Sequence, residues 1–452
     1  MADGNGQPPV FSTGSPADVR SAGLPSIDDN PVIRPLLVSS LVTSTPASAQ
    51  ARVPRPSPEA THARFGVAVL FFTNGALFAN LLPRYPEVLR ELDLTNAAFG
   101  LAVAAFPLGA LLAGLSAGFL VRRFRSSRVA VVATALTAIG IFVGGTGQSW
   151  IVLAVGLFLA GAMDSITDVA QNSHGLRVQR LFQRSILNSF HAIWSVGAVL
   201  GGILGAVAAQ IGIPIAVHLA SSAVLFTACA VVAYRFLLPG DEPTEVEVAP
   251  RTASATVATS RGIARYGVLG VLAALVIIAS AGAIVEDSGS SWSAIYLSDS
   301  LRASAFLAGT GFVALQGMQF LGRIFGDRLV DRFGQRAVAR TGGVIVFLGM
   351  GTALAFPTIA GTIAGFGLAG LGVSTLIPAA MHAADELPGL RPGTGLTIVS
   401  WLLRVGFLVS PPIVGAIADN SALRFGLLIV PVVGLLVVVF AGVLSSQRAT
   451  IR

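Results

Sequence analysis

From about residue 64 onward, long runs free of charged side chains alternate with short polar breaks. Runs such as Val129–Val143 and Val268–Ile284 are apolar throughout rather than alternating. A hydrocarbon core about 30 Å thick needs about 20 consecutive apolar residues per helix. A transmembrane strand would instead alternate over about 10 residues, so a β-barrel is set aside. The pattern predicts helices at 64–82, 97–121, 128–147, 150–172, 187–210, 213–238, 266–286, 303–326, 337–356, 358–381, 394–418 and 424–446. The predicted fold is therefore an all-α, multi-pass membrane protein with twelve transmembrane helices.

Composition agrees, with 54% hydrophobic and only 11% charged residues, where a soluble domain has about a quarter charged. The net charge of +7 could suggest a nucleic-acid partner, but the arrangement of the charge excludes one. All 29 basic residues are arginine, and most lie between the apolar runs. Arg122, Arg123, Arg125 and Arg128 follow the second span, Arg177, Arg180 and Arg184 the fourth, and Arg328, Arg332, Arg336 and Arg340 the eighth. The breaks after spans three, five and nine contain none. The positive-inside bias then places the arginine loops and both termini in the cytoplasm, the lipid partner being the cell membrane. The single cysteine, Cys229, cannot form an intrachain disulfide.

Residues 1–62, rich in Pro, Ser, Ala and Gly, are expected to form a disordered cytoplasmic tail. Residues 239–265 contain Asp241, Glu242, Glu245 and Glu247 and are expected to be a cytoplasmic linker between halves at 63–238 and 266–447, with a short tail at 448–452. An internal repeat supports the halves. A shift of 209 residues lays Arg122-Arg123-Phe124 on Asp331-Arg332-Phe333, Leu159-Ala160-Gly161 on Leu368-Ala369-Gly370, and Gly197 on Gly406.

The segment Gly326 to Arg336 resembles the loop motif G-x-L-x-D-R-x-G-R of the major facilitator superfamily. Asp331, Arg332, Gly334 and Arg336 stand at motif positions, while Asp327 replaces the leading glycine. The first-half copy keeps Gly118 but carries Arg122 and Arg125 where the motif has Asp and Gly. Asp168 to Asn172, Phe190 to Gly197 and Trp292 to Leu297 look more narrowly like the YbjJ-like or fucose-permease-like branch. The resemblance covers about residues 64–446. It implies two pseudo-symmetric six-helix bundles around a central cavity that opens to alternate sides, with helices one, four, seven and ten lining it. It also implies that the motif Asp makes charge contacts between the halves. Asp331 is the candidate for that role, and the first-half copy is not.

Ionisable groups at membrane depth usually face the bundle interior or a wet cavity. Asp164, Asp168 and Asn172 fall at i, i+4 and i+8 in span four, one polar stripe on a helix. Removal from water favours the neutral carboxyl, which makes both aspartates candidate proton carriers. A structural hydrogen-bonded carboxylate is the competing reading. Glu286 and Asp287 precede Ser288, Gly289, Ser290 and Ser291, a composition that allows either a broken helix or an early outer loop. Of the two acids, Glu286 is expected to be the deeper. Arg404 is the one strongly basic residue predicted at mid-depth, and it calls for an acidic partner or an anionic group on the solute. His191 and Trp194 in span five, Asn74 and Asn80 in span one, and Gln316 and Gln319 in span eight are candidate cavity-lining groups, or else polar links between helices.

No phosphate-binding loop, metal-ligand cluster or nucleophile triad is visible, so no cofactor, metal or enzymatic activity is expected. The first reading is a secondary transporter of a small, sugar-like solute, with protons as candidate coupling ions. The second is a non-transporting membrane receptor or interaction protein on a transporter fold.

Overall fold

The computed structural model describes residues 57–183, 185–240, 261–391 and 393–446. Among these, twelve helices are long and apolar enough to cross a membrane: α1 Pro58–Glu91, α2 Asn96–Phe124, α3 Ser126–Thr146, α4 Trp150–Phe182, α5 Leu187–Gln210, α6 Ile215–Tyr234, α7 Gly267–Ser300, α8 Ala305–Phe333, α9 Gln335–Ala355, α10 Ile359–Asp385, α11 Thr394–Asn420 and α12 Leu423–Val443. Most of the expected tail, most of the linker, the last residues of the chain and Arg184 lie outside the described residues.

Each helix matches a predicted span, but α4, α7 and α8 run well beyond the apolar stretch. Arg177 and Arg180 sit on the last turns of α4, and Arg328 and Arg332 on the last turns of α8. Hydropathy does not register these turns, because their residues are polar. The break between α2 and α3 is the single residue Arg125, at φ 73° and ψ 138°, and that between α8 and α9 is Gly334, at φ 84° and ψ 151°. The same sharp turn is made in both halves, once by glycine and once by an arginine held in a conformation that suits glycine.

The 209-residue repeat extends to packing. A Cβ on Gly161 of α4 would strike the carbonyl oxygen of Phe106 on α2, and a Cβ on Gly370 of α10 would strike that of Leu315 on α8. The two glycines and the two carbonyls are each related by the same shift. Close backbone approach at small residues is how membrane helices pack when water supplies no drive between them. The start of α4 is capped by Ser149 and that of α10 by its repeat mate Thr358, whose side chains accept from Val152 N at 3.4 Å and Gly361 N at 3.0 Å.

Leu115, Phe119, Val224, Leu269 and Phe356 are 61–78% exposed, a lipid-facing surface that no soluble monomer would present. The halves meet at the end remote from the arginine turns. There α2 packs on α11, with Gly100 against Pro411, and α5 packs on α8, with Gly202 against Phe312. An edge-on aromatic series, Tyr85 to Phe99 at 5.1 Å and Phe99 to Trp292 at 5.8 Å, runs from α1 through α2 to α7.

Candidate functional site

Against this aromatic series lies a cavity of about 250 Å³ that both halves line. The first half contributes Asn74, Phe78 and Tyr85 from α1, Phe106 from α2, Asp164 from α4 and Trp194 from α5. The second contributes Glu286, Asp287, Ser290 and Ser291 from α7, and Arg404 and Phe407 from α11. Aromatic faces thus alternate with acids and one guanidinium.

The first-half wall is held by a relay through three helices. Trp194 Nε1 donates to Asn74 Oδ1 at 2.7 Å, and Asn74 Nδ2 donates to Asp164 Oδ1 at 2.6 Å. Asn74 is only 4% exposed, so its amide orientation is fixed by one donor and one acceptor. Gly75 makes the approach feasible, because a Cβ there would overlap the Trp194 carbonyl oxygen.

On the second-half wall the structure corrects the expectation for Glu286 to Ser291. α7 neither breaks nor ends there but continues as α-helix to Ile295 and closes in a π-turn, Tyr296–Ser300. The serines are accommodated within the fold. Ser290 Oγ donates to Glu286 O at 2.8 Å, Ser288 and Ser410 hydroxyls lie 3.2 Å apart, and a Cβ on Gly289 would overlap Leu315. Serine next to glycine looks like a loop in sequence, yet in lipid the hydroxyl returns its hydrogen bond to its own helix. Of the two acids, Asp287 is the more enclosed by protein. Asp287 is 8% exposed, while the Glu286 side chain is 17% exposed and accepts from Gln319 Nε2 at 3.0 Å.

Two further arginines within the transmembrane helices make ion contacts. Arg323 on α8 lies 4.0 Å from Glu286, and Arg84 is buried in α1, paired with Glu87 at 2.7 Å and donating to Ile213 O at 2.9 Å. Arg84 falls just past the predicted first span, and Arg323 near the end of the predicted eighth. Arg404 itself is exposed to the space between the halves and has no ion pair within 4.0 Å among the described residues. It acts electrostatically on Asp164 and Asp168 from across that space. Asp168 lies outside the cavity wall. Its side chain is exposed, accepts from Asn172 Nδ2 at 2.9 Å, and interacts electrostatically with His191, which is also exposed and packs edge-on to Phe71 at 5.2 Å.

The sequence profile described as Major Facilitator Superfamily matches residues 67–317 and 287–450. The chain belongs to this superfamily. An uncharacterised transporter, y4wD, of Sinorhizobium fredii is 29% identical over 84% of this chain and 98% of its own length. The membrane protein MosC of Rhizobium meliloti is 29% identical over 82% of this chain and 87% of its own. Among solved structures, the D-xylose-proton symporter matches at 14% identity with a TM-score of 0.60, covering 84% of this chain and 97% of that one. An inward-facing, occupied bacterial homologue of the lysosomal transporter Spinster matches at 14% identity with a TM-score of 0.63, covering 86% and 97%. The twelve helices and the family together make the chain a multi-pass membrane transporter.

The superfamily motif falls mainly on helix ends rather than in loops. Gly118 and Arg122 are in α2 and Asp331 and Arg332 in α8, with Gly334 alone forming the turn. Asp331 is exposed and has no ion pair among the described residues, so the expected contact between halves is not made in this conformation. Arg332 lies over Phe333, 5.4 Å from the ring, and Arg336 Nε donates to Leu444 O at 3.0 Å, tying the turn to the end of α12. Asn80 and Gln316 are buried away from the cavity. Asn80 Oδ1 is shared by His218 at 2.8 Å and Ser222 at 3.3 Å, a link from α1 to α6. Gln319 reaches the site only through Glu286.

Proposed function

We propose that this transporter moves a small, hydroxyl-rich solute by alternating access, with the arginine-loop end and both termini in the cytoplasm. The observation that carries this reading is the composition of one cavity. Asp164 comes from one half, and Glu286, Asp287 and Arg404 come from the other, so a solute held among them is contacted by both moving bodies. The described conformation is closed at the end remote from the arginine turns. Arg404, Asp168 and His191 are exposed to the space between the halves, which corresponds to the cytoplasm-open state in this reading.

The wall suits a sugar-like ligand. Phe78, Phe106, Trp194 and Phe407 offer flat apolar faces, while Asp164, Ser290 and Arg404 offer acceptors and donors for hydroxyls. Two groups are assigned to proton coupling. Asp164 sits within the relay at the cavity, and Asp168 sits towards the open end beside His191. The fold shared with a D-xylose-proton symporter is compatible with both assignments.

Purified protein in proteoliposomes tests the reading. Counterflow of labelled monosaccharides, polyols and nucleosides is expected for at least one solute, and an imposed pH gradient is expected to drive its accumulation. Counterflow that ignores the gradient would remove the proton and leave facilitated transport. Binding without flux would support the receptor reading instead.

A further inference from the structure

The first turn of an α-helix has N–H groups without partners inside the helix, and these must find acceptors elsewhere. At the start of α2, Thr95 Oγ1 accepts from Ala98 N at 3.2 Å. At the start of α8, Ser304 Oγ accepts from Leu307 N at 3.4 Å. These are ordinary caps supplied by the preceding residue. The preceding orphan donor is treated differently. Ala97 N donates to Asp419 Oδ2 at 2.8 Å, and Phe306 N donates to Gln210 Oε1 at 3.0 Å. Asp419 stands at the end of α11 and Gln210 at the end of α5, so each acceptor comes from the opposite half.

The two arrangements are copies of each other. Thr95 and Ser304, Ala97 and Phe306, Ala98 and Leu307, and Gln210 and Asp419 are all related by the 209-residue shift that relates the halves. The copies differ in strength. Asp419 Oδ1 accepts two further bonds, from Asn96 N at 2.8 Å and Asn96 Nδ2 at 2.9 Å, and its charge faces a helix N-terminus. Gln210 is neutral and takes one of the backbone donors. These bonds lie on an exposed rim, where water could satisfy the same N–H groups if the halves parted. Their geometry therefore exists only while this end is closed.

We propose that Asp419 and Gln210 are a matched pair of cross-half helix caps that set the balance between closed and open forms at the end remote from the arginine turns, with Asp419 the stronger. The consequence for flux rests on the alternating-access reading, but the balance itself is measurable without a solute. Spin labels on exposed Glu91 and Ser300, in a Cys229→Ser background, report the distance between halves at that end.

Charge-assisted caps of this kind, screened by exposure, predict that Asp419→Ala enriches the long-distance form about tenfold. Gln210→Ala should enrich it about threefold, and the double variant by about the product, since the two caps lie on different helix pairs. Asp419→Gln, which restores a neutral acceptor like its repeat mate, should fall between wild type and Asp419→Ala. A purely structural role would lower the melting temperature and leave the distance distribution in place. If Asp419→Ala does not fold, Asp419→Asn carries the same test, because it keeps the volume and loses the charge and one acceptor. An unchanged distribution in the Asp419 variants overturns the proposal, and a shift with Asp419 variants but none with Gln210→Ala overturns the pairing. Distances that shift in a protein showing no flux would leave the caps standing and remove the transport reading.

Discussion

Replacing Asn74 by alanine removes the middle of the Trp194–Asn74–Asp164 relay and leaves an indole N–H and a carboxylate oxygen without their partners. Sealed from water, each orphan would cost about 1–3 kcal/mol. Asp164 borders the cavity and can recover water, and interhelical hydrogen bonds in membrane proteins average about 0.6 kcal/mol with a ceiling of about 1.7. Two such bonds, each at or somewhat above that average, total about 1–2 kcal/mol. The decisive assay is a double-mutant cycle by denaturation in detergent, pairing Asn74→Ala with Trp194→Phe, which keeps the ring and deletes the donor. Coupling of about 0.5–1.5 kcal/mol is expected. Additivity within about 0.3 kcal/mol would show that the Trp194–Asn74 bond contributes nothing and would refute that step of the reasoning.

Three further outcomes follow from the geometry. Gly161→Val drives a side chain into the Phe106 backbone and should cost upwards of about 3 kcal/mol, as should Gly370→Val at its repeat mate; a melting temperature near wild type for either would contradict the helix packing. Gly334→Ala forces a Cβ into a turn at φ 84° and should cost about 1–3 kcal/mol in a denaturation curve, an unchanged midpoint counting against the turn. Glu286→Gln and Arg323→Gln should couple by less than about 1 kcal/mol in a thermal cycle, because the pair is 4.0 Å apart and Arg323 is 38% exposed. A larger coupling would mean that the pair is sealed from water.

Hydropathy made the twelve helices readable, because lipid demands long apolar segments, and sequence self-similarity made their grouping readable. What lies beyond the hydrocarbon was less legible. The polar last turns of α4 and α8 are helical for reasons of continuity and capping, which a hydropathy window does not register. Asp164, Trp194 and Asn74 could be picked out singly as polar groups in apolar runs, but their mutual bonding could not, since it depends on three helices crossing at Gly75. Asp287 was passed over because position in the span ranks depth but not which side of α7 faces the interior. Arg323 was missed for a related reason, lying near the end of a span drawn too short. Asp419 gave no signal, being an acid at a helix end, and its meaning emerges only beside Gln210.

The central claim is that a solute occupies the cavity between the halves and is carried across. Counterflow in proteoliposomes tests it most directly, comparing wild type with Asp164→Asn on the same panel of monosaccharides, polyols and nucleosides. The account predicts saturable counterflow of at least one solute and a loss of about tenfold or more in the variant, the scale expected when a buried polar contact to the solute is removed. Correctly folded protein that exchanges no member of the panel would contradict it, and a variant that exchanges at the wild-type rate and affinity would remove Asp164 from solute contact.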